Sequence, residues 1–154
     1  MLMYSFNLIG KHIGEIDAVM DSWISELGLS YAHFAVLYTL ASTPNQQCTQ
    51  KEICDIHYLP KQTVFNICKD YRERGWIEFK INETDKRERI MCLTDSGKIQ
   101  AEPVMQNTNL LCDNALATFG EEKTTQLFTL MHEFSQICQS EILRLKKDNK
   151  KSHV

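Results

Sequence analysis

The stretch DKRERIMCLTDSG, residues 85–97, decides how the rest of the sequence is interpreted. Five charged residues come first, four mostly apolar residues follow, and a polar Thr-Asp-Ser-Gly closes the stretch. The apolar part lies within RIMCLT, residues 89–94, which predicts a β-strand. Thr94 or Asp95 can then cap a long helix that begins at about residue 96. The charged part forms a loop before the strand, and its cations are available to contact a ligand.

A second strand and a helix precede this loop. WIEFKI, residues 76–81, is rich in β-branched and aromatic residues and predicts the partner strand, so residues 82–88 form a charged hairpin loop. Residues 60–74 predict a helix, because Pro60 suits a first helical position and Gly75 can end it. The inner face of this helix is predicted to carry Val64, Ile67, Cys68 and Tyr71. Its outer face is predicted to carry Gln62, Phe65, Asn66 and Lys69.

A short helix comes immediately before this one. Thr49 and Glu52 have the spacing of a capping box, in which each side chain bonds the backbone N–H of the other residue. Ile53 and Ile56 are predicted to face inward from this helix. A short helix, a tight turn, a helix with a polar outer face and a charged hairpin together predict a winged helix-turn-helix. The second helix of such a unit fits the major groove of DNA.

This interpretation assigns roles to side chains. Gln62 and Asn66 can bond the edge of adenine, and Lys61 and Lys69 can meet phosphate or guanine. Phe65 either contacts a thymine methyl group or folds back onto the domain. The predicted contacts of the recognition helix are Lys61, Gln62, Thr63, Phe65, Asn66 and Lys69. Those of the wing are Asp85, Lys86, Arg87 and Arg89. Arg87 is expected to reach the minor groove, and Asp85 to pair with a nearby arginine and hold the shape of the loop.

Long amphipathic helices flank this unit. Apolar residues recur at helical spacing before Gly28, and again after Gly120; they are Ile9, Ile13, Ile16, Met20, Trp23 and Leu27, then Leu127, Met131, Phe134, Cys138, Ile142 and Leu145. Ser30 can cap a second helix, whose apolar face includes Phe34, Leu37, Tyr38 and Leu40. The winged unit has a core of its own, so the outer helices need another apolar surface, and a second copy of the chain is the simplest one. We therefore expect helical dimerisation regions at 1–28 and 99–148, and a winged helix-turn-helix at 29–98. The predicted fold class is mainly α with a small β-hairpin wing.

The pattern Asp85-x-Arg87, followed by five residues and Leu93-Thr94-x-x-Gly97, resembles the wing signature of the MarR family of bacterial transcription regulators. The resemblance implies a homodimer that binds a pseudo-palindromic operator, usually as a repressor, and is often released by a small molecule. It also implies a minor-groove role for Arg87. The expected partners are double-stranded DNA, a second copy of the chain and a small aromatic or lipophilic effector. In this family the effector site lies where the dimer helices meet the DNA-binding lobe, which implies His12, Met20, Trp23 and His33 as candidates here.

Composition narrows the alternatives. The 154 residues have a net charge of −3, but residues 61–98 hold nine basic and seven acidic residues and form the only net-basic third. No apolar run reaches the ~20 residues of a membrane span, and no signal peptide is recognisable, so we expect a cytoplasmic protein. The five histidines lack metal-ligand spacing, and no phosphate-binding loop or nucleophile motif is present. These features predict neither an enzyme nor a metal or cofactor site.

Two other functions stay open. The negative net charge allows a protein-interaction module that kept the winged fold without binding DNA. The six cysteines allow a thiol-based redox-sensing regulator. However, no two of them form a CxxC pair, and Cys68 and Cys138 lie on predicted apolar faces, so reduced and mostly buried thiols are the better interpretation.

Overall fold

The computed structural model describes residues 6–151, with side chains over residues 6–149. The first five residues of the predicted N-terminal dimerisation region, and the tail with His153, lie outside the described residues. Over residues 6–151 the helices are α1 (Phe6–Glu26), α2 (Tyr31–Ser42), α3 (Gln50–His57), α4 (Lys61–Glu73), α5 (Asp95–Phe119) and α6 (Glu121–Lys151). The strands are β1 (Gln47–Thr49), β2 (Ile77–Ile81) and β3 (Arg89–Leu93). The predicted fold class, mainly α with a β-hairpin wing and flanking long helices, is confirmed.

The sheet has one strand more than the sequence predicted. Its order is β1-β3-β2, and both neighbouring pairs are antiparallel. Ile77 lies opposite Leu93 and Ile81 opposite Arg89 in the hairpin, while Thr49 of β1 lies opposite Ile90. The predicted hairpin of β2 and β3 is confirmed, and β1 is a third strand that the sequence analysis did not predict. Three residues between a turn and a capping box show no alternation of their own, and only their pairing with β3 makes them a strand.

The chain divides into two compact units, one ending at Thr108 and one beginning at Asn109. The core of the first unit lies between α2, α3, α4, the sheet and the start of α5. Its fully buried side chains include Leu37, Leu40, Ile53, Val64 and Tyr71. The second unit holds the end of α5 and all of α6, which carry many exposed apolar side chains. The predicted boundaries after residues 28 and 98 stay predictions.

The faces of α4 follow the predicted pattern. Val64, Ile67, Cys68 and Tyr71 are buried. Ile56 of α3 was expected to face inward, and this was wrong, because it is 59% exposed whereas Ile53 is fully buried. A helix of eight residues offers the core only about two turns, and Ile53 together with the half-buried Cys54 fills the contact. Pro60 was expected at the first helical position of α4. It is instead the N-cap residue, and the helix begins at Lys61.

One residue fastens the wing to the helices on both sides of it. The Thr94 hydroxyl accepts the Gly97 N–H at 3.0 Å and donates to the carbonyl of Gly75 at 2.6 Å. The Thr94 N–H also donates to the carbonyl of Trp76 at 3.0 Å. Of the two predicted caps for α5, Thr94 is therefore the one that forms. Gly97 allows this close approach, since a Cβ at that position would lie 1.9 Å from the Trp76 carbonyl oxygen.

Helix α1 packs near its C-terminal end. Ile24 is buried in a small cluster with Phe34 and Val104, and the indole Nε1 of Trp23 donates to the Thr108 hydroxyl at 3.0 Å. Further towards the N-terminus, Ile13 and Ile16 are 57% and 65% exposed. None of the helices over residues 6–151 combines the length and the apolarity that a membrane crossing requires.

Candidate nucleic-acid interface

Helix α3 is fixed at both ends. The Thr49 hydroxyl accepts the Glu52 N–H at 3.1 Å, and the Glu52 carboxylate accepts the Thr49 N–H at 2.6 Å, so the predicted capping box is confirmed. At the other end, His57 is hydrogen-bonded through Nε2 to the Thr39 hydroxyl at 2.8 Å and through Nδ1 to the Tyr31 hydroxyl at 3.1 Å. These bonds join α3 to α2 and support the base of the helix-turn-helix.

The turn between α3 and α4 has an uncommon backbone. Tyr58 adopts φ 52° and ψ 36°, the left-handed region that favours glycine and asparagine. Its side chain is 92% exposed. The turn brings the chain from the end of α3 to Pro60 and the start of α4, so the helix begins at the protein surface.

The outer face of α4 is exposed, as predicted. Gln62, Asn66 and Lys69 all reach solvent, and the Nε2 of Gln62 donates to the Oδ1 of Asn66 at 2.8 Å. Lys61 is exposed as well, while Thr63 is half-buried. The Phe65 side chain is 51% exposed and lines a cleft between α4 and the wing. This face therefore presents amide donors and acceptors, cations and one apolar side chain to the solvent.

The wing loop is shaped by hydrogen bonds to its own backbone. The Asp85 carboxylate accepts the backbone N–H of Arg87 at 3.0 Å, and the Asp85 carbonyl accepts the N–H of Glu88 at 3.0 Å. Asn82 holds the other side, where its Oδ1 accepts from the backbone and hydroxyl of Thr84. The expected pairing of Asp85 with an arginine side chain was wrong: within residues 6–149 its carboxylate forms no ion pair. In so tight a loop the backbone N–H of Arg87 lies closer to the Asp85 carboxylate than an arginine guanidinium does.

A cleft of about 570 Å³ opens between the wing, α4 and the N-terminal end of α3. It brings together Phe65 and Lys69, which the sequence singled out on α4, with Arg87 and Arg89 of the wing. Lys86 does not line it. The cleft also contains residues that the sequence analysis did not identify, among them Gln50, Lys51, Arg72 and Phe79.

Arg72 could have been predicted from the sequence as a cleft residue, because it follows Phe65 and Lys69 at helical spacing. Lys51 and Phe79 carry no such signal, since the fold alone brings α3 and β2 to the same place.

The charge of the cleft is strongly positive. Five cations line it, against the single carboxylate of Glu88. Lys69 lies 4.0 Å from Glu73, a pair in which both side chains are two-thirds exposed and therefore weakly coupled. Over residues 6–149, no carboxylate pairs with Lys51, Arg72, Arg87 or Arg89. Local potential, rather than the net charge of −3, determines what this surface attracts.

The four predicted effector residues occupy separate surroundings. His12 is exposed and hydrogen-bonded to Glu15 at 3.0 Å. Trp23 bonds Thr108, whereas His33 bonds the Ser30 hydroxyl at 2.7 Å and lies edge-on to Tyr71. Met20 is half-buried. No hydrogen bond or ring contact joins the four in the part of the chain that the structure describes, so their assignment to one pocket stays a prediction.

The thiols are all unpaired. Burial raises the pKa of Cys48 to about 12, and burial raises the pKa of Cys68 to about 12 as well. Both therefore stay protonated at neutral pH and are poor nucleophiles. Cys92 is also buried, while Cys54, Cys112 and Cys138 are partly exposed. Across the described residues, no three histidine, cysteine or carboxylate side chains are grouped as metal ligands would be.

Comparison with known proteins identifies the family. A model of the MarR family matches residues 27–88. The structure of NMB1585, a MarR family regulator from Neisseria meningitidis, is 38% identical, covers 91% of this chain and 97% of its own, and superposes with a TM-score of 0.81. YwoH, an HTH-type transcriptional regulator of Bacillus subtilis (strain 168), is 28% identical over 113 residues, which are 73% of this chain and 80% of YwoH.

A more distant structure shares the fold. The S. aureus MepR–DNA complex is 16% identical, covers 86% of this chain and 98% of its own, and has a TM-score of 0.64. The evidence for family membership is the match to NMB1585, which extends over nine-tenths of the chain. The chain belongs to the MarR family of transcriptional regulators, and it is a regulator rather than an enzyme.

Proposed function

We propose that this regulator binds duplex DNA sequence-specifically, as a homodimer on a pseudo-palindromic operator, and represses transcription there. The observation that carries the proposal is the exposed polar face of α4 beside two wing cations, Arg87 and Arg89, that have no carboxylate partners over residues 6–149. The fold supports it, because S. aureus MepR, which has the same fold, was crystallised in complex with DNA.

In this proposal α4 lies in the major groove. Gln62 and Asn66 read base edges near its N-terminal end, with Lys61, Thr63 and Lys69 around them. The wing lies beside the duplex, where Arg87 enters the minor groove. Asp85 does not face phosphate. Its carboxylate accepts the backbone N–H of Arg87 and so fixes the position of the Arg87 backbone.

The dimer part of the proposal rests on apolar surface. Ile13, Ile16 and Val19 of α1 are 57–65% exposed, and α6 exposes a longer series: Leu127, Phe128, Leu130, Met131, Phe134, Ile137, Ile142, Leu143 and Leu145. Surfaces of this kind need a cover in water. A second copy supplies one, with residues 1–28 and 99–148 as the dimerisation regions and 29–98 as the DNA-binding domain. Two-fold symmetry then matches two half-sites.

Release by a small aromatic or lipophilic effector completes the proposal, with His12, Met20, Trp23 and His33 as the candidates. Trp23 provides the probe for this part. In a Trp76→Phe variant the tryptophan fluorescence comes from Trp23 alone. An effector should quench it in the same concentration range in which it releases DNA, and release with unchanged Trp23 emission would place the effector elsewhere.

The rival function is a winged protein-interaction module without DNA binding. Selection of genomic duplex fragments by the purified protein separates the two. The proposal predicts a few strongly enriched fragments that share a palindromic site. Gln62→Ala and Asn66→Ala should lose that enrichment, whereas Gln100→Ala, an exposed glutamine on α5, should keep it. Absence of enrichment by the wild-type protein would contradict the proposal and favour the interaction module.

A further inference from the structure

The cleft between α4 and the wing has a place in the proposed complex that follows from the shape of DNA. The major and minor grooves of a duplex are separated by one sugar-phosphate strand. If α4 lies in the major groove and the wing in the neighbouring minor groove, that strand has to pass between them. The cleft lined by Phe65, Lys69, Arg72, Phe79 and Arg87 is the space between these two elements.

We propose that this cleft binds a phosphodiester group of the strand that separates the two grooves, and that Arg72, stacked on Phe79, is the cation that holds it. This inference rests on the proposed DNA binding and extends it to Arg72, Phe79 and Lys51. The ligand chemistry is a phosphate oxygen; its source is the backbone of the duplex rather than a free phosphate ion.

Arg72 lies on the correct side of α4. It follows Phe65 by seven residues and Lys69 by three, so the three side chains form one stripe along the helix. This stripe flanks the face of Gln62 and Asn66 and borders the cleft. A backbone strand beside the base-reading face would therefore run along it.

Arg72 also has a contact within the protein that positions its side chain before any ligand arrives. Its guanidinium carbon lies 5.8 Å from the centre of the Phe79 ring, within the range of a cation–π contact. The contact crosses from α4 to β2 and thus joins the recognition helix to the base of the wing. A guanidinium held in place loses less freedom on binding, and its planar fork of N–H donors suits phosphate.

The charge of Arg72 is not compensated by the protein. No carboxylate pairs with it over residues 6–149, and Lys51, Arg87 and Arg89 line the same cleft without such partners. Arg74, on the other side of the helix end, shows the contrast. Its guanidinium carbon lies 5.2 Å from the centre of the Trp76 ring, and its Nε forms an ion pair with Asp70 at 2.9 Å. It does not line the cleft. Arg74 is therefore a matched control, an arginine stacked on an aromatic ring but already neutralised.

The test measures binding of the full chain to a selected operator duplex and to a random duplex over a series of salt concentrations. Arg72→Gln should weaken both by the same factor, because a phosphate carries no sequence information. The slope of log affinity against log salt should fall by about 0.9 for each lost contact. A dimer that loses one contact in each subunit should therefore lose about two units of slope. Arg74→Gln should leave affinity and slope at wild-type values.

Two further variants separate charge from order. Arg72→Lys keeps the cation and should keep the salt slope. Phe79→Leu keeps both the charge and an apolar floor; it should also keep the slope, but lower the affinity for both duplexes. Thermal unfolding of each variant reports whether the fold is intact, and the two conservative variants keep the test decisive if Arg72→Gln does not fold.

The outcomes are distinct. If the wild type binds no duplex, the proposed function fails. If the wild type binds and Arg72→Gln retains its affinity and slope, or Arg74→Gln loses as much, the role of Arg72 is overturned while the proposed function stands. Calorimetric titration with inorganic pyrophosphate at constant ionic strength tests the other source of phosphate. The proposal predicts no saturable binding, and saturable binding that Arg72→Gln abolishes would reassign the cleft to a free phosphate ligand.

Discussion

Gln62 and Asn66 are joined through their side-chain amides, since the Nε2 of Gln62 donates to the Oδ1 of Asn66 at 2.8 Å. The two residues are one helical turn apart on the exposed face of α4. The bond uses one N–H of Gln62 and one lone pair of Asn66, so each amide still has a donor and an acceptor for a base edge. Two side chains that fix each other in this way present one recognition unit rather than two independent contacts.

A double-mutant cycle should show this coupling. Gln62→Ala and Asn66→Ala should each cost about 1–3 kcal/mol at the operator. Because either substitution also frees the remaining partner, the double variant should lose less than the two single losses added together. Binding of the operator, measured by fluorescence anisotropy for all four proteins, gives the coupling free energy. Strict additivity would mean that the two amides act separately, and wild-type binding by both single variants would mean that α4 does not read the bases.

Asp85 permits a clean separation of charge from geometry. Asp85→Ala removes the acceptor of the Arg87 N–H, so the loop loosens and affinity for DNA should fall, although an acidic group next to the duplex has been removed. Asp85→Asn removes the same charge and keeps an oxygen acceptor, so its affinity should equal or exceed that of the wild type. Both are measured on one operator duplex at one salt concentration. Tighter binding by Asp85→Ala would show that the carboxylate acts only through its charge.

His57 predicts a pH dependence of stability. Burial lowers the pKa of His57 from its ordinary value of 6.5. Below that value the unfolded chain takes up a proton that the folded chain binds less readily, so this residue makes the free energy of unfolding fall as the pH drops below about 6.5. Above it, both states are neutral at this residue and the contribution vanishes. His57→Gln keeps an amide near Thr39 and does not titrate.

Urea unfolding at pH 7.5 and at pH 5.5 checks this prediction in both proteins. The difference between the two pH values should be larger for the wild type than for His57→Gln, because the other titrating groups are common to both. An equal difference would show that His57 is as accessible to protons in the folded state as in the unfolded one.

Gly97 tests the attachment of the wing to α5. A methyl group there would meet the Trp76 carbonyl oxygen at 1.9 Å, so β2 and α5 would have to move apart. Gly97→Ala should lower the free energy of unfolding by about 3 kcal/mol. Ser96→Ala changes an exposed neighbour in the same turn and should stay within about 0.5 kcal/mol of the wild type. Similar stabilities of the two variants in chemical denaturation would contradict the close packing.

The elements of this fold that carry local signals were predictable from the sequence. Thr49 and Glu52 bond each other across a single helical turn, and the faces of α4 follow from a period of 3.6 residues. Features that depend on distant partners were not predictable in the same way. Strand β1 forms only through its pairing with β3. The outward orientation of Ile56 depends on how much space the core offers.

The candidate site shows the same division. The exposed amides and cations of α4 and the wing were identified from their spacing, because both elements are local. Asp85 was assigned to an arginine side chain, whereas a three-residue turn gives its carboxylate the nearer backbone N–H of Arg87. The stacking of Arg72 on Phe79 joins residues from α4 and β2, and their contact depends on how the strand packs on the helix. No sequence pattern gives that packing.

The central claim, that the winged unit binds duplex DNA through its cations, is tested most directly by the salt dependence of binding in the wild type and in Arg87→Ala. The account predicts that log affinity for the selected duplex falls linearly with log salt concentration. In Arg87→Ala, affinity should fall on operator and random duplex alike, and the slope should decrease by roughly one for each lost contact, up to about two per dimer. A wild-type protein that shows no salt-dependent affinity for duplex DNA, or an Arg87→Ala variant with the wild-type slope, would contradict it.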